Sequence, residues 1–379
     1  LRLIETIKGR SAVVSVLFEP ITFRGVTVPN RVWMAPMCQY SADVTGRDVG
    51  VPNDWHRTHL VTRAIGGAGL ILTEATAVSP EGRISPADLG IWNDTQAEAF
   101  AEINAQLEYF GAVPGIQLGH AGRKGSAHVP WRGGGSLDGD DRLSWQTVAP
   151  SAIGFGDHTP PAAATTDDIR KVVADFAAAA ERASRAGFKV VEIHAAHGYL
   201  LHQFLSPVSN HRTDEYGGSF AGRIRLLLEV VDAVRGVWPA ELPVFVRVSA
   251  TDWLSEEPGL DADSWTPDQT VSLVQALADL GVDLVDVSSG GVASARIPVG
   301  PGYQVPFARR IQNETTVPAA AVGLITEPEQ AERIVESGEA VAVFLGRELL
   351  RDPYWPRKAA LALNAQVTPQ IPAQYARAY

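Results

Sequence analysis

The sequence predicts an α/β fold, a single closed (β/α)8 TIM barrel with long loops on its catalytic face, and three observations lead there. Eight short apolar, β-rich runs recur along the chain, each followed by a turn and an amphipathic helical stretch. The runs have the composition of strands buried on both faces, as in a parallel sheet. No linker-like segment divides the series. The rival is a doubly wound open sheet, which usually carries a glycine-rich turn after its first strand. Here the first strand runs into Ala35-Pro36-Met37-Cys38, and neither a G-x-G-x-x-G nor a Walker A pattern occurs anywhere.

The expected strands are 31–37, 70–77, 113–118, 189–194, 244–249, 284–288, 317–322 and 342–345. Asp94 can cap a helix that places Ala97, Phe100, Ile103, Leu107 and Phe110 on one face and stops at Gly111. Asp167 opens another, with Ile169, Val173, Phe176 and Ala180 inward and a close near Gly187. Thr266 and Gln269 form a capping box with Pro267 at the first helical position. Thr326 and Glu329 repeat the box before a helix ending near Gly338. Two connections are long, 119–166 and 251–265, and a barrel puts both on the catalytic face. The first, rich in Trp131 and the glycines 133–135, reads as a lid. Residues 1–16 read as an N-terminal extension and residues 17–379 as the barrel.

Composition removes several function classes. With 379 residues, 45% hydrophobic and 20% charged, the chain is neither a disordered tail nor a disulfide-stapled miniprotein. Lys plus Arg is 32 against 43 Asp plus Glu, a net charge of −11, which argues against nonspecific binding to nucleic acid or anionic membranes. The single cysteine, Cys38, allows no intrachain disulfide and no Cys-rich metal or iron–sulfur site, and suits a reducing cytoplasm. The apolar runs fall short of the ~20 residues a membrane-spanning helix needs.

Barrel chemistry sits at the C-terminal ends of strands. Those ends hold Cys38, Gln117, His194 with His197, Arg247, Ser288 with Ser289, Gly323, and Gly346 with Arg347. Two imidazoles three residues apart can converge on one ion or on one carbonyl or nitro oxygen, with Tyr199 as a nearby proton source; structural histidines are the alternative. Arg247 ends an apolar strand and needs an anion, either a ligand or a structural carboxylate. Gly323, Gly346 and Arg347 occupy the corner where barrels commonly bind phosphate. Gln117 offers donor and acceptor groups, as a heterocycle edge requires. Cys38 is either a small buried hydrophobe or a site residue, with Tyr40 beside it. His56 and His59 lie on an expected helix and read as structural.

A set of ordered motifs then carries a resemblance. They are Leu17-Phe18-Glu19-Pro20, Ala35-Pro36-Met37-Cys38-Gln39-Tyr40, Glu74-Ala75-Thr76-Ala77-Val78, Gly115-Ile116-Gln117-Leu118-Gly119-His120-Ala121-Gly122-Arg123-Lys124, His194-Ala195-Ala196-His197-Gly198-Tyr199, the run from Ser209 to Ser219, and Gly346-Arg347-Glu348-Leu349-Leu350. The chain resembles the Old Yellow Enzyme family of FMN-dependent ene-reductases, in particular the bacterial xenobiotic-reductase and thermophilic-like branch.

The resemblance implies an NADPH dehydrogenase acting as an ene-reductase. FMN is the implied cofactor, NADPH (or NADH) the reductant and an electron-poor alkene the small-molecule substrate. It implies that Ala35, Pro36, Met37, Cys38, Ala75, Gln117 and Arg247 hold the flavin ring. Ser289, Gly290, Gly323, Gly346 and Arg347 would hold the ribityl chain and phosphate. His194 and His197 bind the substrate's activating oxygen, Tyr40 adds a contact, Tyr199 donates the proton, and Cys38 tunes the flavin. Val299 stands where the xenobiotic-reductase type has a tryptophan, which implies a roomier pocket. The tail Gln374-Tyr375-Ala376-Arg377 is similar to the thermophilic-like tail, so Arg377 is the residue expected to enter a neighbouring subunit's site in a homodimer or homotetramer.

Overall fold

The computed structural model describes residues 15–254, 263–367 and 369–378. Eight parallel strands close into a barrel: β1 Val32–Met34, β2 Leu70–Ala77, β3 Val113–Gly119, β4 Val190–Ala195, β5 Val244–Ser249, β6 Leu284–Ser288, β7 Ala319–Ala321 and β8 Ala342–Leu345. Neighbours in sequence are neighbours in space, and β8 pairs with β1 to complete the ring. All eight expected strands are present, with β1 and β7 shorter than the apolar runs that signal them.

Between and after the strands run α1 Asp54–Ile65, α2 Asp94–Tyr109, α3 Thr166–Arg185, α4 Phe220–Val237, α5 Pro267–Asp279, α6 Val305–Glu314, α7 Pro328–Glu336 and α8 Trp355–Ala362. The box at Thr266 and Gln269 forms as expected. Three other starts differ by a residue or two. Asn93, not Asp94, caps α2 by accepting from the Gln96 N–H. Thr165 caps α3, with Asp168 closing the box, so Asp167 lies inside the first turn. At α7, Pro328 fixes the first helical residue, making Glu327 the cap and leaving Thr326 outside with no box.

Side-chain alternation divides the barrel into layers. Outward residues such as Val191, Ile193, Val246, Val285 and Val343 pack against the helices. Inward residues at the N-terminal end form a separate apolar cluster of Trp33, Leu70, Leu72, Val190, Phe245, Leu284, Ala320, Ala342 and Phe344. A hairpin, Ile21–Phe23 with Val26–Val28, adds Phe23 and Val28 to this cluster. Phe23 meets Trp33 and Phe245 edge-on at 6.0 and 5.3 Å, and Trp33 meets Phe344 at 5.2 Å. Each fully buried aromatic contributes ~1.5–3 kcal/mol of transfer free energy, so this end of the barrel is a packed plug.

The chain joins the barrel at its described start. Glu332 of α7 accepts hydrogen bonds from the Ser15 hydroxyl and from the Val16 and Leu17 backbone N–H groups. Residues 1–14, and with them most of the expected extension, lie outside the described residues. Among the described residues no helix is long and apolar enough to cross a membrane.

Candidate active site

At the other end of the same strands the inward residues turn polar: Gln117 on β3, Glu192 and His194 on β4, Arg247 and Ser249 on β5, Asp286 and Ser288 on β6. A register shift in β2 between Leu72 and Ala75 marks a bulge at this level. Bulges re-aim side chains near active sites, and here Ala75 is partly exposed while the residues around it are buried. Pro36, Met37 and Cys38, just past β1, are likewise partly exposed, so small and apolar groups line one side of the mouth.

The two histidines meet. Their ring centroids are 5.2 Å apart at 83°, and the Tyr199 ring is 5.0 Å from that of His194. The Ala196 N–H donates to His194 Nδ1 (3.3 Å), which leaves the ring proton on Nε2. His197 Nε2 is 2.7 Å from Ser288 Oγ, leaving Nδ1 for a second partner. His197 takes a positive φ of 58°, an uncommon conformation for a side-chain-bearing residue. Three ties hold it there. Its N–H donates to Ser249 Oγ (2.9 Å), its carbonyl accepts from Lys124 Nζ (2.9 Å), and the turn at Gly290 and Gly291 packs against it. A Cβ on Gly198 would lie 2.1 Å from the Gly291 carbonyl oxygen, so only glycine fits. His202 supports the same turn, accepting from the Gly198 N–H (2.8 Å) and standing 3.0 Å from buried Asp252.

Burial, then the charge of Arg247, holds both His194 and His197 well below the usual imidazole range, so both are neutral at neutral pH. Burial raises the Tyr199 phenol, which stays protonated. Burial, then Asp88 and Glu74, pushes the Cys38 thiol up, and the Tyr40 hydroxyl hydrogen-bonds it. Cys38 is therefore a neutral thiol rather than a nucleophilic thiolate. Tyr40 also meets Trp131 of the long loop after β3, 5.9 Å away, which brings that loop to the mouth. Lys124, lowered to about 7 by burial and then by Arg123, stands 5.6 Å from the Tyr199 ring.

Deeper in, Gln117 Nε2 donates to Glu192 Oε1 (2.8 Å), and Arg247 Nε is 2.9 Å from Asp286 Oδ2. The anion Arg247 requires is thus at least in part a structural carboxylate. At the β7–β8 corner a cavity of about 170 Å³ is lined by residues 322–326 and 344–348 with Ser288, Tyr303 and Gln304. Gly323 and Gly346 are in that lining, and exposed Arg347 has no ion-pair partner among the described residues. Ser289 and Gly290 are not in it. The Ser289 hydroxyl donates to Gln304 (2.7 Å), and Gly290 O accepts from Ser249 (2.8 Å).

Arg377 is not brought to this cluster within its own chain. Its segment, Ala373–Ala378, borders a groove with Ile65 and Tyr109 to Gly111, beside the N-terminal ends of β2 and β3. Val299 is 61% exposed. The histidine pair has no third metal ligand, because no group of three His, Cys, Asp or Glu among the described residues could hold an ion.

A model of the NADH:flavin oxidoreductase / NADH oxidase family matches residues 16–366. The chain belongs to this family. It is 49% identical over 366 residues to an NADPH dehydrogenase of Geobacillus thermodenitrificans, covering 96% of this chain and 99% of the relative. Among solved structures, morphinone reductase superposes with a TM-score of 0.75 at 30% identity, covering 94% of this chain and 92% of that one. The Old Yellow Enzyme homologue of Zymomonas mobilis gives 0.73 at 30% identity, with 93% and 94% covered. The protein is accordingly an Old Yellow Enzyme-type oxidoreductase whose cofactor is FMN.

The residues fit that cofactor. An apolar ledge, a buried Gln and Arg with hydrogen-bonding capacity, and a cavity with glycine turns and an Arg that makes no ion pair among the described residues are the donor set a flavin ring and a phosphate need. Sequence reasoning passed over Glu192, Asp286, His202 and Asp252. A signal existed for the first two, since each is a lone charge inside an apolar strand, as Arg247 is.

Proposed function

We propose that this enzyme reduces the activated C=C bond of α,β-unsaturated carbonyl or nitro compounds, drawing on NADPH (or NADH) in a ping-pong cycle. The observation that carries the reading is the convergence of two neutral imidazoles and a protonated phenol at the mouth, above Gln117 and Arg247. FMN, when bound, would supply the redox chemistry, as the hydride carrier between NADPH and the β-carbon of the alkene.

His194 and His197 hydrogen-bond the carbonyl or nitro oxygen as it gains negative charge. Neutral rings suit this role: His194 has its Nε2–H to give, and His197 gives Nδ1–H with its Nε2 accepting from the Ser288 hydroxyl; one such donor is worth ~10²–10³ in rate. Tyr199 gives its proton to the α-carbon from the face opposite the hydride. Tyr40 contacts the substrate, and Cys38, as a thiol, touches it and tunes the flavin. Ala35, Pro36, Met37 and Ala75 pack along the ring, while Gln117 and Arg247 hold its polar edge. Gly323, Gly346 and Arg347 hold the phosphate and ribityl chain. Ser289 and Gly290 contribute through the turn that braces His197. The enzyme works as a cytoplasmic homodimer or homotetramer, with Arg377 reaching a neighbour's site.

An anaerobic visible spectrum tests this. The yellow holoprotein should bleach with NADPH and recover its colour with cyclohexenone. A holoprotein that bleaches and stays bleached with enone excludes the alkene as acceptor.

A further inference from the structure

Where the apolar lining of the barrel ends, three ionisable side chains face the interior. Glu192 and Asp286 are both 0% exposed, and Arg247 lies on the strand between theirs. Arg247 Nε approaches Asp286 Oδ2 at 2.9 Å, and Glu192 Oε1 accepts from Gln117 Nε2 at 2.8 Å. Among the described residues, Glu192 Oε2, both Asp286 oxygens and Arg247 Nε make no hydrogen bond, so Arg247 and Asp286 meet as an ion pair alone. The groups facing the pair are Gln117 from β3, Arg247 from β5 and, one step up β4, the neutral His194. One guanidinium is thus set against two carboxylates.

If both carboxylates were ionised, the interior would carry an uncompensated negative charge, which is costly to bury. One proton held by the two removes that charge and gives an unpartnered oxygen a hydrogen to donate. Burial raises both groups, Glu192 further because the charge of Asp286 adds to it, while Arg247 opposes the shift in each.

We propose that Glu192 and Asp286 hold one proton between them and act, through Arg247, as positioning residues that match the charge of the barrel interior to the redox state of the flavin. The inference rests on the flavin reading above. With one proton on the pair, Arg247 and the carboxylates sum to zero. In alkaline solution that proton is lost and the sum becomes negative. Two-electron reduction then brings two electrons and one proton to the ring, and the added negative charge draws a second proton from water onto the pair. The pair returns that proton to water when hydride leaves for the acceptor.

The test is a redox titration of the holoprotein from about pH 6 to about pH 10, reading protons taken up per two electrons from the slope of the midpoint potential. The wild type should rise from one proton near neutrality to two in the alkaline range. Glu192→Gln, which fixes the neutral form, should stay at one throughout. Asp286→Asn leaves Glu192 alone beside Arg247, lowers its pKa, and should also stay at one. A wild-type slope of one proton everywhere overturns the proposal without any variant. So does a Glu192→Gln holoprotein that reproduces the wild-type rise. A wild-type chain that takes up no FMN overturns the flavin reading and this inference together, whereas a holoprotein with a flat slope overturns this inference alone.

Discussion

The two ends of one barrel are built from the same eight strands and do opposite work. At the N-terminal end the inward positions carry Trp33, Phe245 and Phe344, closed over by Phe23 of the hairpin. Two residues further along the same strands, or four, the inward positions carry Glu192, His194, Arg247 and Ser249. The first end is apolar and makes the fold stable. The second is polar and nearly as buried, so a group left without a partner there is costly. Stability and chemistry are therefore separable along the barrel axis, and substitutions at the two ends should fail in different ways.

The largest expected effect is at the polar end. Tyr199→Phe should slow reoxidation by an enone by ~10²–10⁴, the usual span for a lost general acid, with a far smaller effect on reduction by NADPH. Equal slowing of both halves in anaerobic stopped-flow would contradict its role as proton donor. At the apolar end, Trp33→Ala should cost ~3–5 kcal/mol in a urea melt while the folded fraction keeps its flavin spectrum. A variant of normal stability with altered flavin would reverse the assignment of the two ends.

Acid should weaken the fold through histidines that are buried uncharged. Burial depresses His56 to about 4 and His120 to about 4, and His59, further depressed by Arg63, to about 3. Each of these folded pKa values lies below the unfolded value of about 6.5. The stability they contribute is present in full above that pH and is lost as pH falls toward the folded values. His56, 1% exposed, accounts for ~2–3 kcal/mol of loss between pH 7 and about 4.5. Unfolding midpoints at the two pH values check this, and an unchanged midpoint would contradict it. The smallest effect belongs to the turn that carries His197 at the polar end. Gly198→Ala forces a Cβ against the Gly291 carbonyl at a φ of 72°. It should cost ~1–3 kcal/mol and weaken enone binding about tenfold, as read from the enone concentration dependence of reoxidation.

Much of this was legible in the sequence because the informative residues are close together in the chain. The strands announce themselves as apolar runs, and His194, His197 and Tyr199 lie within six residues on one strand end and turn. The helix starts were harder. Asn93 competes with Asp94 as a cap, and Pro328 overrides the Thr326 pattern by fixing where the first turn begins. The supports of the site were not legible. Ser288 reaches His197 across 91 residues, Lys124 across 73, and Asp252 reaches His202 across 50. Those pairings exist only once strand order and register are fixed, and no local pattern encodes them. Likewise the sequence offers Arg247 a choice between a ligand and a carboxylate, and only the register of β5 against β6 supplies Asp286.

The central claim is that the histidine pair binds and polarises the oxidising substrate while the groups beneath it hold the flavin. Anaerobic stopped-flow on His194→Ala and His197→Ala, with the two half-reactions followed separately, tests it most directly. The account predicts full flavin content and reoxidation by enone slowed ~10²-fold or more, with reduction by NADPH affected much less. Loss of flavin, or equal slowing of both halves, would contradict it.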